Sequence, residues 1–481
     1  AGGVLAAGVL VASAARAQSA PPGPHDDDAF DVMNVLARNN LHDLKDESWN
    51  AYGQYTYISS WKLPFHAPYT NANGSINSLV PSAERSFATT FTLFFGLHLW
   101  PGGEAYVVPE MIAERPLSQL HGLGSAIQDF ELQKSGSEAP SHYRSRVFLR
   151  QTFNLGGDPV EKTSDPMQLA SVVGRRRLVF TAGTFTVLDM FDRNNITGDP
   201  RQTFLNMAFM THSSWDFAAD SRGYSFGGAA ELYWDDWAFR LGRMAPPYHP
   251  NTLPIDLHLT DVYADTLEIE HDHVVFGQAG AVRILGYRNL EVTGRFADAI
   301  AAVQADPTKN AAACPANAYN YGSGNFTAPD LCWVRRPNPK LGMGIDAEQH
   351  ITRDAGVFLR AMYSDGQTEV DAFDPADRDL SFGAVARGPA WRRPFDIAGV
   401  GFQAAWISDI HAQYLAMGGV DGFVGDGRLR HAAESVVDMF YSANLLKAIW
   451  LTADYQRIWN PGFNADRGPV DIVSGRVHAE F

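Results

Sequence analysis

The stretch Arg467–Phe481, "RGPVDIVSGRVHAEF", keeps a period of two up to its last residue. Val473, Gly475, Val477, Ala479 and Phe481 fall on one side; Ser474, Arg476, His478 and Glu480 fall on the other. This alternation marks a strand with one apolar and one polar face. Chain ends normally fray into water, so a terminal aromatic on the apolar face asks for something apolar to lie against. The strand's edge also asks for a partner, because an open edge exposes unpaired N–H and C=O groups.

The same period recurs upstream. In "TFTLFFGLHLW", Phe91, Leu93, Phe95, Leu97 and Leu99 oppose Thr90, Thr92, Gly96 and His98, with Phe94 as the exception. In "LGMGIDAEQHI", Leu341, Met343, Ile345, Ala347 and Ile351 oppose Gly342, Gly344, Asp346, Glu348 and His350. In "WLTADYQRI", Leu451, Ala453 and Tyr455 oppose Thr452, Asp454 and Gln456. The stretch "AAELYWDDWAFRLG" reads as a hairpin turning at Asp235-Asp236, which sets Trp234 against Trp237, Leu232 against Phe239, and Glu231 against Arg240. Opposed unlike charges favour that register, and the two tryptophans suit an interfacial girdle.

About sixteen such segments are legible, near 49–61, 86–99, 104–113, 143–153, 175–184, 223–234, 237–246, 264–275, 279–290, 340–351, 355–364, 379–387, 396–408, 431–443, 448–458 and 471–481. Long connections (61–85, 113–142, 184–222, 246–263, 290–339, 408–431) mostly alternate with short turns at "PGG", "DD", "FGQ" and "RDA". The fold class expected is therefore all-β: a transmembrane antiparallel β-barrel of 16 strands, with long extracellular loops and short periplasmic turns. The connection 154–174 breaks the rule, being too long for a periplasmic turn.

Composition and the first residues set the compartment. The 481 residues are 45% hydrophobic and 12% aromatic, with a formal net charge of -16, which argues against a nucleic-acid partner. "AGGVLAAGVLVASAARAQSA" runs from an apolar core at Val4–Val11 into Ala15-Arg16-Ala17, the shape of a secretory signal. The expected organisation is a signal remnant at 1–17, a periplasmic arm at 18–48 that is polar and then weakly helical, and a barrel over 49–481. Export favours a disulfide between Cys314 and Cys332, the only cysteines, across an Asn/Gly/Pro-rich loop. No later stretch offers the roughly 20 apolar residues of a membrane helix, so the chain is either soluble or a barrel.

Seven segments together resemble the carbohydrate-selective porins of the OprB family. They are "TVLDMFD" (186–192), "DSRGYSFGGAAELYWDDWAFRLG" (220–242), "KLGMGIDAEQHI" (340–351), "GVFLRAMYSDGQTE" (356–369), "GDGRLRHAAESVVDMFYS" (425–442), "ADYQRIWNPGFNADRGPV" (453–470) and "RVHAEF" (476–481). The resemblance implies a sixteen-stranded outer-membrane barrel with a water-filled pore that passes glucose-like monosaccharides and polyols passively down a gradient. It also implies that the loop after the fifth strand, "LDMFDRNNITGDPRQTFLN", folds inward, and that Phe481 is the signal read by the barrel-assembly machinery. Asp438 stands where the family commonly has Glu, and the Cys314–Cys332 loop is not expected throughout the family.

A sugar in transit exchanges water hydrogen bonds for protein ones, so its path needs many moderate donors and acceptors and weak binding overall. Strand parity nominates Glu231, Arg240, Asp346, Glu348, Arg360, Asp454 and Gln456. In "YRSRVFLRQTF" outward Val147 and Leu149 turn Arg144, Arg146 and Arg150 inward as a basic ladder, which Glu110 could oppose. Mixed charge suits neutral sugars; the bland alternative is that these residues are structural wall pairs. Paired carboxylates could instead serve a secreted β-rich carbohydrate-active enzyme, and a plugged barrel could serve export or structure. His271 and His273 share a strand face, but without convergent ligands they read as turn residues rather than a metal site. No HExxH helix or Gly-rich phosphate loop is present. The expectation is a non-enzyme without cofactor or metal, partnered by carbohydrate, outer-membrane lipid and lipopolysaccharide, as a monomer or homotrimer.

Overall fold

The computed structural model describes residues 31–132 and 136–481. The expected signal remnant and residues 18–30 of the arm lie outside the described residues. The chain enters through α1 (Val32–Arg38), capped by Asp31, whose carboxylate accepts from Asn34 N at 2.7 Å.

Sixteen strands follow. They are β1 Trp49–Lys62, β2 Glu84–Trp100, β3 Gly103–Arg115, β4 Ser141–Lys162, β5 Ser171–Phe185 and β6 Ser225–Trp234. After them come β7 Trp237–Met244, β8 Tyr263–Val275, β9 Gln278–Thr293, β10 Arg336–Thr352, β11 Ala355–Ser364 and β12 Arg378–Arg387. The last four are β13 Ile397–Trp406, β14 Glu434–Asn444, β15 Ile449–Trp459 and β16 Val470–Glu480. Every neighbour is antiparallel, and β16 pairs with β1 to close the barrel. Closure satisfies the backbone of every strand, the condition a bilayer imposes.

The closing seam explains the aromatic terminus. Gly53 N donates to Phe481 O at 2.7 Å, and Phe481 N donates to Gly53 O at 2.9 Å. A Cβ on residue 53 would stand 2.3 Å from the Phe481 ring, so glycine makes the room. The ring instead packs on Phe91, with centroids 6.1 Å apart.

Side chains alternate as the sequence pattern requires. Along β7, Trp237, Phe239 and Leu241 are exposed on the outside while Ala238, Arg240 and Gly242 are buried within. The hairpin register is the expected one, Glu231 opposite Arg240 and Trp234 opposite Trp237. Outward Trp49, Trp100, Trp234 and Trp237 ring the short-turn end, with Trp61 and Tyr363 towards the other. Such belts sit at membrane–water interfaces. No helix of the described residues is long and apolar enough to cross a membrane.

Two expectations are corrected. The connection 154–174 is not a loop: β4 runs to Lys162 and β5 starts at Ser171, leaving a turn at 163–170. Bulges at Asn154/Gly156 and Gly156/Pro159, with Gly156 at φ +107° and Gly157 at φ +82°, bend this hairpin. Its turn lies inside the barrel end, where Tyr52 Oη donates to Ser164 Oγ (2.7 Å) and Leu169 N donates to Tyr106 Oη (3.2 Å). The arm's Glu47 fastens it, accepting from Ser164 Oγ and Ala170 N, both at 2.7 Å. Phe94, the exception to the pattern of β2, points inward to join Met33, Tyr52 and Val108 beneath the arm.

The second correction concerns Arg144. Pro109 has no N–H to give, and the β3/β4 register slips there: Val108 pairs with Arg146 but Pro109 with Arg144. The extra residue, Ser145, turns its hydroxyl to Val108 O at 2.8 Å. Parity reverses across the bulge, so Tyr143 faces in beside Glu110 while Arg144 is exposed on the outer face.

Among the described residues no separate plug domain fills the lumen. Two long loops turn into it: L2 (116–140) and L3 (186–224), whose Phe191, Phe204, Met207, Phe209, Trp215 and Phe217 belong to the main buried cluster.

Candidate functional site

The inner wall carries a continuous ladder of alternating charge across β6 to β11. Arg240 Nε lies 3.2 Å from Glu231, Arg240 Nη1 lies 2.6 Å from Glu268, and Nη2 lies 3.3 Å from Glu270. Glu270 in turn takes Arg283 Nε at 2.5 Å, and Arg283 reaches Asp346 and Glu348, both at 3.3 Å. Asp346 then holds Arg360 Nε at 2.8 Å. Five nominated residues, Glu231, Arg240, Asp346, Glu348 and Arg360, thus sit in one network. Such charges are tolerable in a wall because each is paired and hydrogen-bonded.

L3 covers half of this wall. Asp192 N donates to Glu268 at 2.7 Å on β8, and Asn194 Nδ2 donates to Asp346 at 2.9 Å on β10. Asn195 binds Glu348, and the Phe209 carbonyl takes Arg360 Nη1 at 3.0 Å on β11. Ser214 N meets Asp379 at 2.9 Å on β12, and Asn206 N meets Asp438 at 3.0 Å on β14. Asn206 Nδ2 gives to Gln456 at 2.9 Å on β15, and Arg476 of β16 holds Thr203 O at 3.0 Å. L2 adds to the cover, presenting the amides of Gly124, Ser125 and Ala126 to Glu434. Asp346, Glu348, Arg360, Asp454 and Gln456 are consequently buried under the loops.

The stretch β3 to β7 keeps partly exposed charges beside buried ones. Arg146 forms a bidentate pair with Asp189 at 2.7 and 2.8 Å, and its guanidinium lies over Tyr224 at 5.2 Å. Arg150 lies 3.7 Å from Glu104 and stacks over Tyr106 at 5.2 Å. Side-chain exposures of 14% for Arg146, 23% for Arg150 and 16% for Glu104 contrast with 0% for Arg360. Arg177 stacks on Tyr233 at 3.8 Å, and Tyr233 Oη donates to Glu231 at 2.7 Å. Glu110 is buried, accepting from Thr92 at 2.8 Å, Tyr224 at 3.3 Å and Tyr143.

The same parity that nominated Glu231 also marks Glu268 and Glu270, between outward Leu267 and Ile269, and Arg283, beside outward Ile284. Glu104 and Tyr106 follow from the parity of β3. Asp189, Asp192, Asn194 and Asn195 had no such signal, because a loop has no period. His271 and His273 face outward; His271 stacks on Trp237 with centroids 4.3 Å apart, and His273 meets Gln349 at 3.1 Å. Cys314 and Cys332 are bonded to each other, so the nearby Asp330 has no free thiols to join in holding a metal. One hollow of about 630 Å³ lies against outward Ala347, Leu359, Phe382, Val400 and Phe402; its apolar walls suit lipid, not sugar.

Comparison with known proteins agrees with this geometry. The family described as "Carbohydrate-selective porin, OprB family" matches residues 96–481. A search of curated proteins by sequence finds no match. Among solved structures, OprB of Pseudomonas putida at high pH is similar with a TM-score of 0.63 at 14% identity, over 90% of this chain and 94% of that one. The low-pH structure of that protein gives 0.47 at 11% identity, over 93% and 96%. The outer-membrane channel DcaP of Acinetobacter baumannii gives 0.45 at 11% identity, over 92% and 100%. At 14% identity the likeness to the high-pH structure speaks for fold, and kinship rests on the family match, which spans most of the barrel. The chain belongs to the OprB family of carbohydrate-selective porins.

Proposed function

We propose that monosaccharides and small polyols cross this barrel along its β3–β7 wall, past Arg146–Asp189 and Arg150–Glu104 on one flank and Arg177, Tyr233, Glu231 and Arg240 on the other. Family membership already makes the chain a passive, carbohydrate-selective channel of the outer membrane; fold and family are those of a channel rather than an enzyme. The observation that carries the finer reading is the division of the wall. L3 takes Glu268, Asp346, Glu348, Asp379 and Asp438 as its anchors, and leaves the Arg146–Asp189 and Arg150–Glu104 pairs partly exposed on the other side. Guanidinium and carboxylate groups exchange hydrogen bonds with vicinal hydroxyls, and the partly exposed Tyr233 offers a ring edge to the apolar side of a sugar. Alternating sign favours a neutral solute over either ion. The full chain in planar bilayers should show an ion current that glucose lowers. Arg146→Ala and Glu231→Gln should raise the glucose concentration needed, and Arg144→Ala should not. A protein that forms no pores, or a current indifferent to every sugar, would refute the reading.

The finer partners belong to the same proposal. Outward Arg85, Arg115, Arg144, Arg243, Arg288 and Arg378 are exposed at the long-loop end, a basic belt suited to lipopolysaccharide phosphates. Phe481 is the residue read by the barrel-assembly machinery, and residues 1–17 belong to an export signal.

A further inference from the structure

At the long-loop end, L6 (365–377), L3 and the last residues of β9 meet in a buried acidic knot. Asp216 of L3 is fully employed: it accepts from Lys340 Nζ at 2.9 Å, Asp371 N at 3.0 Å and Ala372 N at 3.0 Å. Its carbonyl also takes Asn289 Nδ2. Glu369 is employed too, held by Arg335 at 2.6 and 2.7 Å. Four carboxylates (Asp216, Glu291, Asp371, Glu369) therefore share two cations, Lys340 held by Asp216 and Arg335 held by Glu369.

The remaining pair is unbalanced. Glu291 and Asp371 are each 1% exposed, and none of their four carboxylate oxygens has a hydrogen-bond partner. Asn289 Oδ1, one inward position before Glu291 on the same strand, is likewise buried without a partner. Asp371 and then Asp216 are the charges that act most strongly on Glu291. Orphaned buried carboxylates are costly, and hard oxygen donors of this kind are what a calcium-class ion takes.

We propose that Glu291, Asp371 and Asn289 form a site for a divalent, oxygen-preferring cation that ties L6 and L3 to the wall at the channel mouth. Two uncompensated carboxylates match a charge of two, and flexible six- to eight-fold oxygen coordination allows loop carbonyls or water to complete the shell. The test uses the full chain folded in detergent, stripped with EDTA, and titrated with calcium chloride by calorimetry. A second titration uses terbium, whose luminescence Trp215, adjacent to Asp216, would sensitise. Expected are one calcium per chain, terbium emission that calcium quenches by displacement, and binding at least about 10-fold weaker in Glu291→Gln with Asp371→Asn. Asn289→Ala, which leaves both charges in place, should weaken binding less and covers the case in which the paired variant fails to fold. Asp409→Asn, at an exposed acid, should change nothing. Absence of both calcium heat and sensitised terbium emission would overturn the proposal, as a proton shared by the two carboxyls would produce. So would undiminished binding in the folded variants.

Discussion

Gly53 and Phe481 form a lock at the barrel seam, small against large, and each explains the other's identity. Phe481→Ala removes the pairing with Phe91, worth about 0.5–1.5 kcal/mol, and should lower the temperature at which the folded band is lost on an unboiled gel. Gly53→Leu should cost more, because its side chain meets the ring, and Gly53→Leu with Phe481→Ala should recover part of the loss. Strict additivity of the two changes would contradict the contact. His411 is a second informative residue. It lies in α3 (Asp409–Ala416) of L7 (407–433), buried, with Nδ1 3.1 Å from Asp377, Nε2 3.2 Å from Asp421, and its ring stacked on Phe296 of α2 (Phe296–Ala305). Burial lowers its pKa, but Asp377 and then Asp421 outweigh that and hold it up at about 9. A raised value means that the clamp is at full strength below about pH 6.5, its ordinary value, and is lost as pH rises through about 9. A spin label at residue 409 (Asp409→Cys) should be immobile at pH 6 and loosen between pH 8 and 10. In His411→Gln it should be mobile throughout; a label indifferent to pH would remove the clamp.

At the scale of strands, the ladder changes what a charge swap can do. Paired across β6 and β7 alone, Glu231 and Arg240 would tolerate reversal. Arg240 also serves Glu268 and Glu270 from β8, so reversing the pair turns a carboxylate on β7 towards the two of β8. Arg240→Gln should cost about 3–5 kcal/mol of unfolding free energy, the penalty for stripping one partner from buried charges. Glu231→Gln should cost less, since Arg240 keeps two partners. Glu231→Arg with Arg240→Glu should stay well below the parent in urea unfolding followed by tryptophan fluorescence. A reversed pair as stable as the parent would show that β8 takes no part.

Across the whole molecule, the arm and the β4–β5 hairpin form one structure at the short-turn end. Glu47 takes the Ala170 amide and the Ser164 hydroxyl, so Glu47→Ala releases the turn that sits beside Arg150, whose Nη1 holds Met167 O at 2.9 Å. The variant should keep a folded barrel yet show altered single-channel conductance. Unchanged conductance with a freed hairpin would separate that end of the barrel from the path.

The strands, their number and the hairpin register were legible because a wall between lipid and an inner core forces period two on every segment, as in β7 and β16. Arg144 was misread because one extra residue at a proline-induced bulge reverses parity without changing composition. Phe94 broke its pattern because the arm supplies an apolar cover that strand periodicity does not encode. The sequence by itself determined a β-barrel and, away from the bulge at Arg144, which side chains of a strand share a face, since those follow from local alternation. Which inward charges are covered was decided only by tertiary structure: L3 turns into the lumen and takes Glu268, Asp346, Glu348, Asp379 and Asp438, and contacts between residues so distant in sequence leave no local period to read.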